Sequence, residues 1–171
     1  MPAPEIQSET PASASGQSAI RAVHAAAFGR PDEADLVDAL RAQGYAILSL
    51  VATIGGRVTG HILFSRMWIK TTAGLIPAIS LAPVAVLPEY QRQGIGSRLI
   101  ERGLEMLRER GEAIAIVLGH PDYYPKFGFS AAKAAPLLSP FPPEAFLAME
   151  LRAGALDGIE GRVIYPPPFG I

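Results

Sequence analysis

The run Val84-Ala85-Val86-Leu87-Pro88-Glu89-Tyr90-Gln91-Arg92-Gln93-Gly94-Ile95-Gly96-Ser97 is where this chain is best equipped for chemistry. An apolar strand ends at Pro88. A polar loop follows, and glycines at 94 and 96 open a strongly helical segment that begins near Ser97. Glycine lets a backbone approach a ligand closely. The start of a helix offers unpaired N–H groups under the positive end of its dipole. A phosphate suits such a place. A Gly-x-Gly pair alone is an ordinary turn; the strand before it and the helix after it make it more than that. It is not a Walker A loop, because no Gly-Lys-Ser/Thr follows. It is not a Rossmann fingerprint either, since the strand belongs to a hairpin series and no acidic residue closes the next strand.

The other reactive side chains read more plainly. Leu118-Gly119-His120-Pro121-Asp122-Tyr123-Tyr124-Pro125-Lys126-Phe127-Gly128-Phe129 gathers aromatic rings around a short turn. Taken alone, Tyr123, Tyr124 and Phe127 are core aromatics beside a turn glycine. His24, His61 and His120 lie far apart in sequence without metal-ligand spacing, and no metal is expected. The absence of cysteine excludes disulfides, thiolate catalysis and cysteine metal sites. His61 sits in Gly60-His61-Ile62-Leu63-Phe64, where alternation puts His61 and Leu63 on one face, Ile62 and Phe64 on the other. A packed or edge histidine is the favoured reading. Met67 and Trp68 read as core rather than cleft, and Glu89 as a solvated loop charge.

Together, and in this order, the two stretches resemble the GNAT superfamily of N-acetyltransferases. That family's acyl-CoA loop has the pattern Gln/Arg-x-x-Gly-x-Gly/Ala, here Gln91-Arg92-Gln93-Gly94-Ile95-Gly96. Its short helix ends in Tyr-x-x-x-Gly-Phe, here Tyr124-Pro125-Lys126-Phe127-Gly128-Phe129. The Gly-His-Pro-x-Tyr-Tyr-Pro-x-Phe-Gly-Phe form is similar to the YhbS-like subgroup. The resemblance runs over residues 5–151 and most firmly over 81–130.

The resemblance implies acetyl-CoA as cosubstrate, with its pyrophosphate over the backbone amides of Gln93, Gly94, Ile95, Gly96 and Ser97. Gln91 opens that loop, and Arg92 adds a charge-assisted contact. The pantetheine arm pairs like an extra strand with Val84 and Val86. The Val86 N–H polarises the thioester carbonyl, Tyr124 protonates the departing thiolate, and Phe127 is a further cofactor contact. A primary amine of an unidentified small molecule or peptide attacks directly, with no covalent enzyme intermediate. Many family members place an asparagine after the fifth strand to hold the pantetheine arm. This chain has Gly119-His120 there, so His120 either takes a different role or caps the short helix. The amine must also lose a proton, for which His61, Glu89 and His120 are candidates without preference. A non-catalytic acyl-CoA-binding or sensing module is the alternative, and a nucleotide-binding protein using the same loop is a third.

The surrounding elements must hold these groups. The chain has 171 residues, 49% hydrophobic and 18% charged, with net charge −1. That composition supports a buried core and gives no bulk attraction to nucleic acid or to an acidic membrane surface. No apolar run reaches the roughly 18 residues of a membrane span, and the N-terminus has no secretory pattern, so a cytoplasmic location is expected. Glu5 to Glu9 reads as an edge strand. Thr10-Pro11 caps a helix through Ile20, Val23, Ala27 and Phe28 to Gly29. A second helix starts near Pro31, acidic in its first turn at Asp32, Glu33 and Asp35, with Leu36, Val37 and Leu40 inward, and ends at Gly44. Strands follow at 45–54, 57–70 and 75–87, the first two joined by Gly55-Gly56 and the third interrupted or bulged at Pro77 and Pro83. A helix at 97–110 and a buried strand at 113–118 come next. Residues 121–127 hold about two helical turns, Phe129 begins an extended piece, 134–143 is a loop and 146–151 a last strand. The tail with Pro166-Pro167-Pro168 is extended. The expectation is an α/β (α+β) single domain over 1–171, with a core at 5–151 and an extension at 152–171. With the resemblance it is GNAT-like: a mixed, mostly antiparallel sheet of about six to seven strands, splayed between strands 4 and 5 and flanked by about four helices. Open sheet edges leave room for a homodimer.

Overall fold

The computed structural model describes residues 3–9 and 14–171. It contains strands β1 (Glu5–Ser8), β2 (Ala46–Ile54), β3 (Arg57–Thr71), β4 (Gly74–Val86), β5 (Ile114–Leu118), β6 (Leu137–Leu138), β7 (Phe146–Glu150) and β8 (Gly161–Ile164). Its helices are α1 (Ala14–Phe28), α2 (Asp32–Ala42), α3 (Ile95–Glu109) and α4 (Ala131–Ala134). The sheet pairing is mixed and mostly antiparallel, with β4 and β5 parallel. The chain forms two compact units, one of residues 1–64 and 83–103, the other of 65–82 and 104–171. Among the described residues no helix is long and apolar enough to cross a membrane.

In the first unit the strand order is β1-β2-β3-β4. Gly55 and Gly56 join β2 to β3 at φ 56° and 80°. Only glycine takes two consecutive left-handed positions without strain, and this handedness matches the twist of the strands it links. β1 pairs antiparallel with β2, Glu5 opposite Thr53 and Ser8 opposite Leu50. In α2 the buried stripe is Ala34, Val37 and Leu40. Leu36, expected on that stripe, is only half-buried, because a spacing of three residues from Val37 and Leu40 falls on Ala34. Gly29 and Gly44, at φ 70° and 79°, end the two helices as expected. The cap at Thr10-Pro11 lies outside the described residues.

On α3, Ile100, Leu104 and Leu107 are buried as their spacing requires. The fully buried Phe64 ring lies against this helix at Gly103, where a Cβ would sit 2.2 Å from its Cε2. The helix begins at Ile95, earlier than the run of helix-forming residues from Ser97 suggests. The Gly94 carbonyl accepts the Arg98 N–H at 3.1 Å and so closes the first turn.

In the second unit β5 pairs antiparallel with β7 from Ile114–Glu150 to Leu118–Phe146. Its parallel ladder with β4 covers Ile79–Ala115 and Ser80–Ile116, while β5 itself runs on to Leu118. This early end of the ladder is the opening expected between strands 4 and 5. Met67, Ile69, Ile116, Phe146 and Ala148 centre the core, joined by Leu137, Leu156 and Val163. Arg66 lies half-buried across Glu112 in a two-pronged ion pair at 3.0 and 2.5 Å.

Three expectations change. Among the described residues the strands number eight, not six or seven, because β6 and β8 lie in or beside proline-rich stretches with no strand pattern of their own. Pairing makes them strands: β8 lies antiparallel on β3, Trp68 opposite Ile164, and β6 parallel on β8. The extended piece at Phe129 is short: Ser130 bridges Ala148 of β7 antiparallel, and α4 follows at once, capped by the same Ser130, whose Oγ accepts the Lys133 N–H at 3.3 Å. β4 runs unbroken through Pro77 and Pro83. Proline's fixed φ lies within the broad extended region, so it costs a strand a donor rather than its shape.

Candidate active site

The end of β4 sets the first part of the site. From Leu81 to Leu87 burial alternates without a break: Leu81, Pro83, Ala85 and Leu87 are buried, while Ala82, Val84 and Val86 are half-buried. The Leu87 N–H donates to Thr59 O on β3 at 2.8 Å. In a regular strand alternate residues turn their backbone groups to opposite edges. Val84 and Val86 therefore turn theirs away from β3. The Val86 carbonyl is taken by the Gln91 side-chain amide at 3.0 Å, which ties the following loop back to the strand.

The loop then makes a 3-10 turn at Pro88–Tyr90 and bends sharply. Arg92 and Gly94 both take positive φ, 63° and 84°. Arg92 is the one non-glycine residue in this region among the described residues. A left-handed backbone at a residue with a Cβ costs free energy and is kept where the surroundings require it. Arg92, Gln93 and Gly94 are exposed, Gly96 and Ser97 half-buried. Ile95 turns its side chain inward, where it lines the space above Gly60. Only its backbone is left to face a ligand. The first turn of α3 thus follows directly on a tight, exposed loop that carries Arg92. Glu89 is exposed and ion-paired with Arg57 at 3.0 Å, as the reading of a surface charge expects.

Tyr124 and Phe127 belong to the second unit. Residues 124–127 form a single 3-10 turn, shorter than the two helical turns expected, and Gly128 at φ 109° ends it. Proline at 121 and at 125 limits how far a helix can extend here. The Tyr124 ring packs edge-on against Tyr123 and Phe129, with centroids 5.1 and 5.9 Å apart, and tilted against Phe127 at 6.3 Å. Burial, with a smaller contribution from Tyr123, pushes the Tyr124 phenol up to about 12. It is therefore protonated at neutral pH and able to give a proton. Gly119 explains how the ring fits: a Cβ there would lie 2.2 Å from Tyr124 Cε2. Any side chain at position 119 would start with its Cβ against that ring. The His120 side chain is exposed, and the backbone carbonyl of His120 accepts the N–H groups of Tyr123 and Tyr124 at 3.1 and 3.3 Å. Position 120 thus caps the turn through its main chain.

One constellation escaped the sequence altogether. His24 on α1 and His61 on β3, separated by much of the unit's sequence, are both fully buried and hydrogen-bonded, Nε2 to Nδ1, at 2.8 Å. No local pattern encodes such a pair. The one available hint was polarity: a histidine in a strand otherwise packed with Ile62, Leu63 and Phe64 needs a partner.

Comparisons with known proteins place the chain in a family. Residues 10–132 match the family model described as acetyltransferase (GNAT) domain. The chain is 44% identical over 135 residues to the uncharacterized N-acetyltransferase YjhQ of Escherichia coli K12, covering 76% of this chain and 75% of YjhQ. It is 35% identical over 167 residues to the uncharacterized N-acetyltransferase YhbS of the same strain, covering 96% of this chain and 97% of YhbS. The crystal structure of E. coli YhbS in complex with CoA superposes with TM-score 0.88 at 33% identity, covering 99% of this chain and 93% of that one. A GNAT family acetyltransferase from Brucella melitensis in complex with acetyl-CoA gives TM-score 0.80 at 35% identity, covering 97% of each chain. The chain belongs to the GNAT family of acetyltransferases.

Proposed function

We infer that this protein is an acetyl-CoA-dependent N-acetyltransferase that moves the acetyl group to a primary amine of a small molecule or peptide. The observation that carries this reading is the backbone of residues 84–97. Strand groups turned away from β3, a loop with left-handed backbone at Arg92 and Gly94, and the start of α3 follow one another in a single stretch. The crystal structures of E. coli YhbS with CoA and of the B. melitensis acetyltransferase with acetyl-CoA support the choice of cofactor.

In this reading the amides of Gln93 to Ser97 hold the pyrophosphate and Arg92 adds charge. The pantetheine arm lies along Val84 and Val86. The amine nitrogen attacks the thioester carbon while the Val86 N–H stabilises the charge growing on oxygen. The C–S bond then breaks and Tyr124 gives its proton to the sulfur. Phe127 flanks the same end of the cofactor.

Calorimetric titration of acetyl-CoA into the wild type, Gly94→Glu and Gly96→Glu tests the binding half. Both glutamates, placed where the pyrophosphate sits, are expected to abolish binding. Tyr124→Phe tests the chemical half, with a fall in kcat and unchanged cofactor affinity expected. A wild type that fails to bind acetyl-CoA sinks the reading. A fully active Tyr124→Phe removes Tyr124 as the acid.

A further inference from the structure

The end of β3 that lies in the second unit carries charge that nothing nearby neutralises. Lys70 lies directly opposite Arg162 of β8, and Leu138 of β6 lies directly opposite Arg162 on its other side. Residues opposite one another in a sheet put their side chains on the same face. Leu138, Arg162 and Lys70 therefore form one row across three strands, and Ile164 and Trp68 lie in the next row. This is the outer face, since Val163 and Ile69, which alternate with these residues, belong to the core.

Like charges set directly opposite each other repel. Both Lys70 and Arg162 are exposed, and among the described residues neither has an ion-pair partner. Other cations of the same unit are paired, Arg66 with Glu112 and Lys133 with Glu150. The Lys70–Arg162 pair thus stands out as positive charge with no counter-charge.

A cavity of about 600 Å³ opens beside this pair, lined among others by Leu138, Ser139, Arg162, Ile164, Tyr165 and Ile171. Its size suits a small organic molecule. Leu138 and Ile171 are 61% and 60% exposed, so the rim is apolar and open to solvent. Tyr165 packs edge-on against Phe141 at 5.8 Å and tilted against Phe169 at 5.1 Å. Burial raises its phenol well above the ordinary value, so it stays protonated at neutral pH. No hydrogen bond among the described residues uses that proton. Ser139 Oγ accepts the Phe141 N–H at 3.0 Å and keeps its own proton to give. Apolar walls, unneutralised cations and unspent hydroxyl donors call for one kind of molecule. An amine would be repelled, and a hydrocarbon would leave the cations unanswered. An apolar body ending in a carboxylate answers both.

We propose that this cavity binds a small amphipathic carboxylate. Its chain lies against Leu138, Ile164 and Ile171, and its carboxylate meets the Arg162 guanidinium, whose fork can hold both oxygens, with Lys70 as a second charge beside it. Ser139 and Tyr165 are the hydroxyls on hand for the same oxygens. The site uses no residue of 84–97, nor Tyr124 or Phe127, so it stands apart from the acetyl-transfer reading.

Trp68, the single tryptophan of the chain, lies directly opposite Ile164, so its fluorescence reports on the site. The full chain is titrated with octanoate, octanol and octylamine without acetyl-CoA, and calorimetry measures the same affinities independently of Trp68. Octanoate should bind saturably and about tenfold or more tighter than octanol, with no binding of octylamine at the same concentrations. Arg162→Gln should weaken octanoate by about tenfold and leave octanol unchanged. Leu138→Glu, which sets a negative charge at the rim, should abolish octanoate binding. Both substituted positions are exposed, and the two variants test the site by opposite means. No octanoate binding by either method, octanol binding as tightly as octanoate, or undiminished octanoate affinity in either variant overturns the proposal.

Discussion

Gly119→Ala probes Tyr124 without touching its hydroxyl. The added Cβ would stand 2.2 Å from Cε2 and 2.6 Å from Cδ2 of the ring. Carbon atoms at rest are about 3.5–4.0 Å apart, so the ring or the backbone must yield by more than about 1 Å. The ring has little space to yield into, with Tyr123, Phe127 and Phe129 around it. Overpacking of this kind costs about 1–3 kcal/mol. A reacting group displaced by about 1 Å loses on the order of 10²-fold in rate. Urea unfolding measures the first quantity and kcat the second. A double-mutant cycle with Tyr124→Phe separates them. If the kinetic loss runs through the Tyr124 hydroxyl, Gly119→Ala should cost kcat little further once that hydroxyl is gone, while its stability cost persists. An equal fall of kcat in both backgrounds, or full activity in Gly119→Ala alone, refutes the reasoning.

Two further outcomes follow from the first unit. Burial lowers His24 from 6.5 to about 4, so between those values the unfolded chain binds more protons than the folded one. Stability is therefore complete above pH about 6.5 and falls as pH drops toward 4, by about 3 kcal/mol from this residue. His24→Phe should flatten that slope in urea titrations between pH 7 and 4.5, and an unchanged slope contradicts the assignment. At Arg92, where φ is 63°, Arg92→Gly should relieve about 1 kcal/mol of backbone strain while weakening acetyl-CoA binding; tighter binding in that variant would remove the arginine from the phosphate site.

What the sequence reveals here divides along a physical line. Gly55-Gly56, Gly29, Gly44 and Gly94 announce themselves because a left-handed backbone nearly demands glycine, so each turn carries its own local signature. The amphipathic stripe of α3 and the apolar run of β5 are legible for the same reason: their burial follows from spacing within one element. β6 and β8 are not legible, since a two-residue strand and a strand beside Pro166 exist only by virtue of what they pair with. Arg92 shows an intermediate case. Its residue type suggests a phosphate contact, but nothing local predicts a positive φ at an arginine.

The same line runs through the site. The phosphate loop is contiguous, so a reader of the sequence meets all of it at once. Tyr124 is recognisable through Gly128-Phe129, but the reason for Gly119 is a ring that only the fold brings over it. The chain Glu9–Ser49–His61–His24 draws on the residue after β1 and on β2, β3 and α1. Each member alone has an unremarkable explanation, as an edge-strand charge, a strand serine or a packed histidine. Meaning arises from the order of donors, and that order is dictated by one ion pair at the surface end. An Arg41→Met substitution removes that ion pair, and with it the contact that anchors the Glu9 end of the chain.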